Sequence, residues 1–138
     1  MPQQRPPDDP QAWLDRAQSN LIRAQQTIPD VYLEDLCFDA QQAAEKAFKG
    51  FLIHLEASFP YTHDLADLIT LIERQDRTVP DSVKEAAILT EYAVSTRYPG
   101  VSEPVTEDEH AQAVAIAERV VEWVAEQVKD DQDASPHV

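Results

Sequence analysis

A chain of 138 residues, 43% hydrophobic and 27% charged, has the size and balance of one globular domain with a single core. Its 26 Asp and Glu against 11 Lys and Arg leave a formal net charge of −15, which excludes sequence-independent binding to duplex DNA, since that needs many cations to release counterions from phosphates. The lone Cys37 rules out an intrachain disulfide, and 2 Gly beside 10 Pro mean few tight turns and frequent helix breaks, the marks of an all-helical chain.

The first ten residues hold no apolar stretch of the kind a signal peptide needs, and no run approaches membrane-spanning length, so a cytoplasmic protein without membrane contact is expected. Residues 1–8 are Pro-rich and polar and are expected to be disordered; the helical bundle should occupy 9–128. Asp9-Pro10 reads as an N-cap followed by proline at the first helical position, and Trp13, Leu14, Ala17, Leu21 and Ala24 then share one face up to Pro29. Asp30 is the expected cap of a long central helix. Its apolar face comprises Leu33, Leu36, Cys37, Ala40, Ala44, Ala47, Phe48, Phe51 and Leu55, ending before Pro60. Cys37 on that face reads as a small packing group.

Thr62 or Asp64 can cap a third helix that buries Leu65, Leu68, Ile69 and Ile72. After Pro80, Ser82 and Glu85 have capping-box spacing for a fourth helix carrying Val83, Ala86, Leu89 and Ala93, closed by Pro99-Gly100. Thr106 and Glu109 repeat the capping box for a fifth. There Ala111, Val114, Ala117, Val121, Val124 and Val128 form a stripe close to a heptad, suited to the bundle or to a second copy of the chain. Residues 129–138, with Asp130, Asp131 and Asp133, are expected to be a disordered acidic tail. The fold class is therefore all-α, an up-and-down bundle of four to five helices.

On the second helix Asp35, Asp39, Gln42, Lys46 and Lys49 fall three and four residues apart, one stripe opposite the apolar face. Two accounts of it compete. It can be a solvated face, with Glu45 and Lys49 a local pair contributing about 0.2–0.5 kcal/mol, or a ligand-contacting face that concentrates cations on an acidic protein. Arg97 has the same ambiguity: a cation complements a helix C-terminus, and a guanidinium also grips phosphate with two hydrogen bonds. Tyr98 beside it offers a ring for base stacking. His63, before Asp64, reads as a capping or packing residue or as an acid–base group. Glu107-Asp108-Glu109-His110 has the Glu-x-x-His spacing of di-iron bundles, but a second copy is missing from the sequence, so no metal is expected. With neither a phosphate-binding Gly-rich loop nor a Cys-x-x-Cys pair, no cofactor is expected either.

Phe38-Asp-Ala-Gln-Gln-Ala-Ala-Glu-Lys-Ala-Phe-Lys49, then Tyr61-Thr-His-Asp-Leu65, then Tyr92 through Thr96-Arg97-Tyr98-Pro99, and the Ala-rich fifth helix together resemble the HEPN domain family (higher eukaryotes and prokaryotes nucleotide-binding) over roughly residues 10–128. The resemblance implies a helical bundle, commonly a homodimer, of the kind encoded beside a minimal nucleotidyltransferase in a toxin–antitoxin pair. Ribonuclease members carry Arg followed after four to six residues by His. Here the next histidine after Arg97 is His110, with twelve residues between, so the motif is incomplete. The resemblance thus implies a protein that binds a nucleotide or short RNA, with Gln42, Lys46, Lys49, Arg97 and Tyr98 as the contacting residues. The alternatives are a metal-independent endoribonuclease toxin using Arg97 with His63 or His110, and a helical dimerisation module without ligand.

Overall fold

The computed structural model describes residues 5–93 and 104–134, and the regular elements among them are all helical. The side chain of Asp9 accepts a hydrogen bond from the Gln11 N–H at 2.9 Å, and Pro10 supplies the preset backbone that starts α1 (Pro10–Ala24). Residues 5–8, expected to be disordered, are tied to that helix. Arg5 pairs with Asp15 at 2.8 Å, and the Trp13 indole donates to the Pro7 carbonyl at 2.7 Å.

Helix α2 (Leu33–His54) starts later than expected. Asp30 has φ 65°, in the left-handed region, whereas a cap needs extended backbone; Tyr32 takes the cap position without a side-chain bond. From there α2 packs against α1, α3 and the C-terminal helix. Ala40, Ala43, Ala44, Ala47, Phe48, Phe51 and Leu52 are all fully buried, and the small side chains let neighbouring backbones come close. Burial also raises the pKa of the Cys37 thiol to about 12, in keeping with a packing role.

One close approach is at Gly50, where a Cβ would lie 2.9 Å from Trp13 Cβ and 3.3 Å from the Pro10 carbonyl oxygen. In an exposed helix interior, Gly→Ala gains roughly 1 kcal/mol. Here Gly50→Ala is expected to cost about 1–3 kcal/mol, because α1 must be displaced along its backbone. A thermal melt reads the sign, and a raised Tm would show that α1 yields freely.

Helix α3 (Leu65–Glu73) is capped by Asp64, which accepts from the Ala66 N–H at 2.9 Å, and Thr62 Oγ1 accepts from the Asp64 N–H at 3.0 Å. Its buried residues are Leu65, Leu68, Ile69 and Ile72, as periodicity predicts. The expected fourth helix takes a different form. A short α4 (Asp81–Lys84) starts at Pro80 without a side-chain cap, so the Ser82–Glu85 box is not used, and a 3-10 helix follows over Glu85–Ala93. The reason lies in the spacing: Val83, Ala86, Leu89 and Tyr92 are the buried residues, three apart throughout, which suits a winding of three residues per turn.

Helix α5 (Glu107–Ala134) has the predicted reciprocal cap: Glu109 N–H donates to Thr106 Oγ1 at 3.1 Å, and Thr106 N–H to Glu109 Oε1 at 3.0 Å. It runs past residue 128, where a disordered tail was expected. Asp131 is the reason. Its carboxylate takes two hydrogen bonds from Arg77, at 3.0 and 2.7 Å, and contacts His54 Nε2 at 2.8 Å, which clasps the end of α5 to α2 and to the segment after α3. Chiefly the Arg77 bonds hold the Asp131 carboxyl below its ordinary pKa. Among the described residues no helix is long and apolar enough to cross a membrane.

Candidate functional site

The polar stripe of α2 is solvated only in part: Asp35 is exposed, and Gln42 and Lys46 are half-buried. Asp39 and Lys49 are 4% and 6% exposed, and Gln41 and Glu45, beside the stripe, are buried with them. Tertiary packing divides these residues into two linked clusters, one facing α1 and the other facing the segment that joins α2 to α3.

Toward α1, Lys46 Nζ donates to Asn20 Oδ1 at 2.7 Å, and Asn20 Nδ2 donates to Asp39 Oδ1 at 3.1 Å. The bridging amide keeps Lys46 and Asp39 ordered without a direct ion pair. Arg23 Nε approaches Asp39 Oδ2 at 3.4 Å while the arginine side chain as a whole stays 69% exposed. Burial, reinforced by the charge of Arg16, lowers the pKa of the Lys46 ammonium below the ordinary lysine value. These groups border a groove of about 530 Å³ whose remaining walls include Ile28, Val31, Phe38 and Gln42.

Toward the α2–α3 segment, Glu45 is the hub. Its Oε1 accepts from Gln41 Nε2 at 3.0 Å and contacts His63 Nδ1 at 2.8 Å; its Oε2 receives Lys49 Nζ at 3.0 Å. Burial pushes the Glu45 carboxyl up, but these bonds outweigh it and hold the group below its usual range. The Lys49 ammonium also lies 5.8 Å from the ring centres of both Phe59 and Tyr61. The expected open phosphate contact at Lys49 is therefore an inward-facing, neutralised charge. Gln42 Nε2 donates to Gln41 Oε1 at 2.7 Å and so connects the two clusters.

Among the other sequence candidates, Arg97 and Tyr98 lie outside the described residues. His110 Nε2 is 2.7 Å from the Ala24 carbonyl; the ring nitrogen donates there and ties off the end of α1. No group of His, Cys, Asp and Glu among the described residues could hold a metal ion. Asn20 and Arg23 were not singled out from the sequence, and Tyr61 entered only within the motif that carries the family resemblance. A weak signal existed for the first two, since they lie three apart on α1, but pairing them with α2 requires the rotation of both helices.

An all-helical bundle with this central helix defines a recognisable class. The family model described as HEPN domain matches residues 10–128, and the chain belongs to the HEPN domain family. Two solved structures are similar to it. The crystal structure of TT1696 from Thermus thermophilus superposes with a TM-score of 0.74 at 32% identity, covering 86% of this chain and 98% of that one. ST0689, described as an archaeal HEPN homologue, superposes with a TM-score of 0.70 at 27% identity, covering 86% and 97%. No curated protein sequence gives a significant match.

Proposed function

We propose that the α1–α2 groove binds a nucleotide or the end of a short single-stranded RNA. The observation that carries this is the placement of Lys46 and the exposed Arg23 on a groove of about 530 Å³, within the size range of small-ligand sites, whose walls mix Ile28, Val31, Leu36 and Phe38 with Asp35, Asp39 and Gln42. Phosphate oxygens would take Lys46 and Arg23. A base would lie against Phe38 and Ile28, with Gln42 at its polar edge. Lys49 supports the site from behind through Glu45. Arg97 and Tyr98 keep their proposed roles in phosphate binding and base stacking on sequence grounds. The surrounding acidity limits the contact to a short ligand, because a net charge of −15 repels an extended polyanion. The same resemblance supports a homodimer and a minimal nucleotidyltransferase partner.

Titration calorimetry with adenosine monophosphate and a short single-stranded RNA tests the proposal. Binding should weaken as salt rises, and Lys46→Ala and Arg23→Ala should each cost about 1.5–3 kcal/mol through a lost charge-assisted hydrogen bond. Wild-type affinity in both variants would overturn it.

A further inference from the structure

The chain's lysines are Lys46, Lys49, Lys84 and Lys129, each in a different setting. Lys49 is buried with its Nζ 3.0 Å from Glu45 Oε2, Lys84 pairs with Glu73 at 3.0 Å on the surface, and Lys129 is exposed. Lys46 differs from all three. It is half-buried on the wall of the α1–α2 groove, and its Nζ donates not to a carboxylate but to the neutral Asn20 Oδ1, at 2.7 Å. The carboxylate of Asp39 is engaged elsewhere: its Oδ1 accepts from Asn20 Nδ2 at 3.1 Å, and Arg23 Nε lies 3.4 Å from its Oδ2. Asn20 is itself buried, so its amide is a fixed spacer between cation and anion.

The spacer has a chemical consequence. A lysine becomes nucleophilic when it is desolvated or set beside another cation, because both favour the neutral amine. Lys46 has both conditions. Burial comes first and the charges of Arg16 and Arg23 on α1 add to it; Glu45 and Asp39, on its own helix, act in the opposite sense without reversing the shift, and the ammonium stays below the ordinary lysine pKa. The groove in turn selects the electrophile. Arg23 supplies a cation that attracts an anion, and Ile28, Val31, Leu36 and Phe38 offer apolar surface to a short aliphatic chain. An acyl phosphate carries both parts, with its reactive carbonyl carbon between them.

We propose that Lys46 is an acylation site, modified by short-chain acyl phosphates that enter the α1–α2 groove. The neutral amine attacks the carbonyl carbon. A C–N bond forms, the bond from that carbon to the bridging oxygen breaks, and phosphate leaves with the electron pair on the Arg23 side. The phosphate takes up the proton that the amine gives up, so amine and acyl phosphate become amide and hydrogen phosphate. The product amide carries no charge. Acylation therefore removes the cation that the nucleotide reading assigns to phosphate binding, and this regulatory consequence, unlike the reaction, rests on that reading.

The test incubates the full chain with acetyl phosphate and follows each lysine by mass spectrometry. Lys46 should be acetylated several-fold faster than Lys84 and Lys129, although both of those are more exposed. Asn20→Ala lets Lys46 close onto Asp39, which favours the ammonium, and should bring its rate down to that of the exposed lysines. Arg23→Ala, at an exposed position that leaves the fold intact, should slow Lys46 and leave Lys84 and Lys129 unchanged. A Lys46 rate no greater than that of the exposed lysines would overturn the proposal, and so would an Arg23→Ala protein that keeps the full selectivity. Calorimetry with adenosine monophosphate, before and after acetylation, separates the two readings. Selective acetylation that leaves nucleotide binding unchanged upholds the acylation site and overturns the nucleotide role of Lys46. Nucleotide binding lost in Lys46→Ala, without selective acetylation, does the reverse.

Discussion

Glu45→Ala is expected to destabilise the protein by about 3–5 kcal/mol, because it leaves the buried Lys49 ammonium without its carboxylate and strips a partner from both Gln41 and His63. Against a typical total of about 5–15 kcal/mol, that is a large share of the fold's stability. Urea denaturation measures it. Removing both charges tells more: Glu45→Gln combined with Lys49→Met should recover most of the loss, since the cost comes from an uncompensated buried charge. A single-variant loss below about 1 kcal/mol would mean that water reaches Lys49 and the pair behaves as a surface one. The pH dependence has a definite sign. The folded state holds the Glu45 carboxyl below its ordinary value of 4.5, so its contribution is complete above that pH and is lost as pH falls through the lower folded value. Glu45→Gln should accordingly flatten the acid limb of the stability curve.

Phe51→Ala should cost a similar amount, about 3–5 kcal/mol, for an unrelated reason. The fully buried Phe51 ring meets Trp123 edge to face at 5.3 Å, lies nearly parallel to the His54 ring at 6.1 Å, and has the Arg77 guanidinium 5.6 Å from its centre. Its removal opens a cavity among α2 and α5 and takes away the surface on which the Arg77–Asp131 clasp rests. We expect a fall in Tm of roughly 10–20 °C and weakened near-ultraviolet dichroism from Trp123. Phe51→Leu, which refills much of the volume, should retain most of the stability. A Phe51→Ala protein melting within a few degrees of wild type would show that the cavity collapses without penalty.

Much of the fold was legible because its signals are local. The Asp9, Asp64 and Thr106–Glu109 caps each join residues within one turn, and Leu65, Leu68, Ile69 and Ile72 repeat at helical spacing. The 3-10 segment was misread because Val83, Ala86 and Leu89 also fit an α-helical face; Tyr92 rather than Ala93 completes the row, and only the core it meets decides between them. The site was legible in part for the same reason. Gln42 and Lys46 reach the groove as their spacing implies, whereas Lys49 turns inward because Phe59 and Tyr61 return over it from a later segment. That return is a long-range event with no counterpart in helical periodicity. Asn20 and Arg23 depend likewise on how α1 is rotated against α2.

The winding of Glu85–Ala93 also sets a length. Three residues per turn at about 2.0 Å each extend these nine residues by roughly 4.5 Å over the same stretch coiled as an α-helix. The segment therefore acts as a strut cut longer than its residue count suggests. It reaches the first turn of α3, where Thr90 Oγ1 accepts the Leu65 N–H at 3.1 Å. Wound as an α-helix, the same residues would fall short of that bond and swing Tyr92 about a third of a turn away from Ala86, out of the core. The strut's pitch is thus held by the row of buried side chains along it, and the distance it spans between α4 and whatever follows Ala93 is a property of packing rather than of backbone preference.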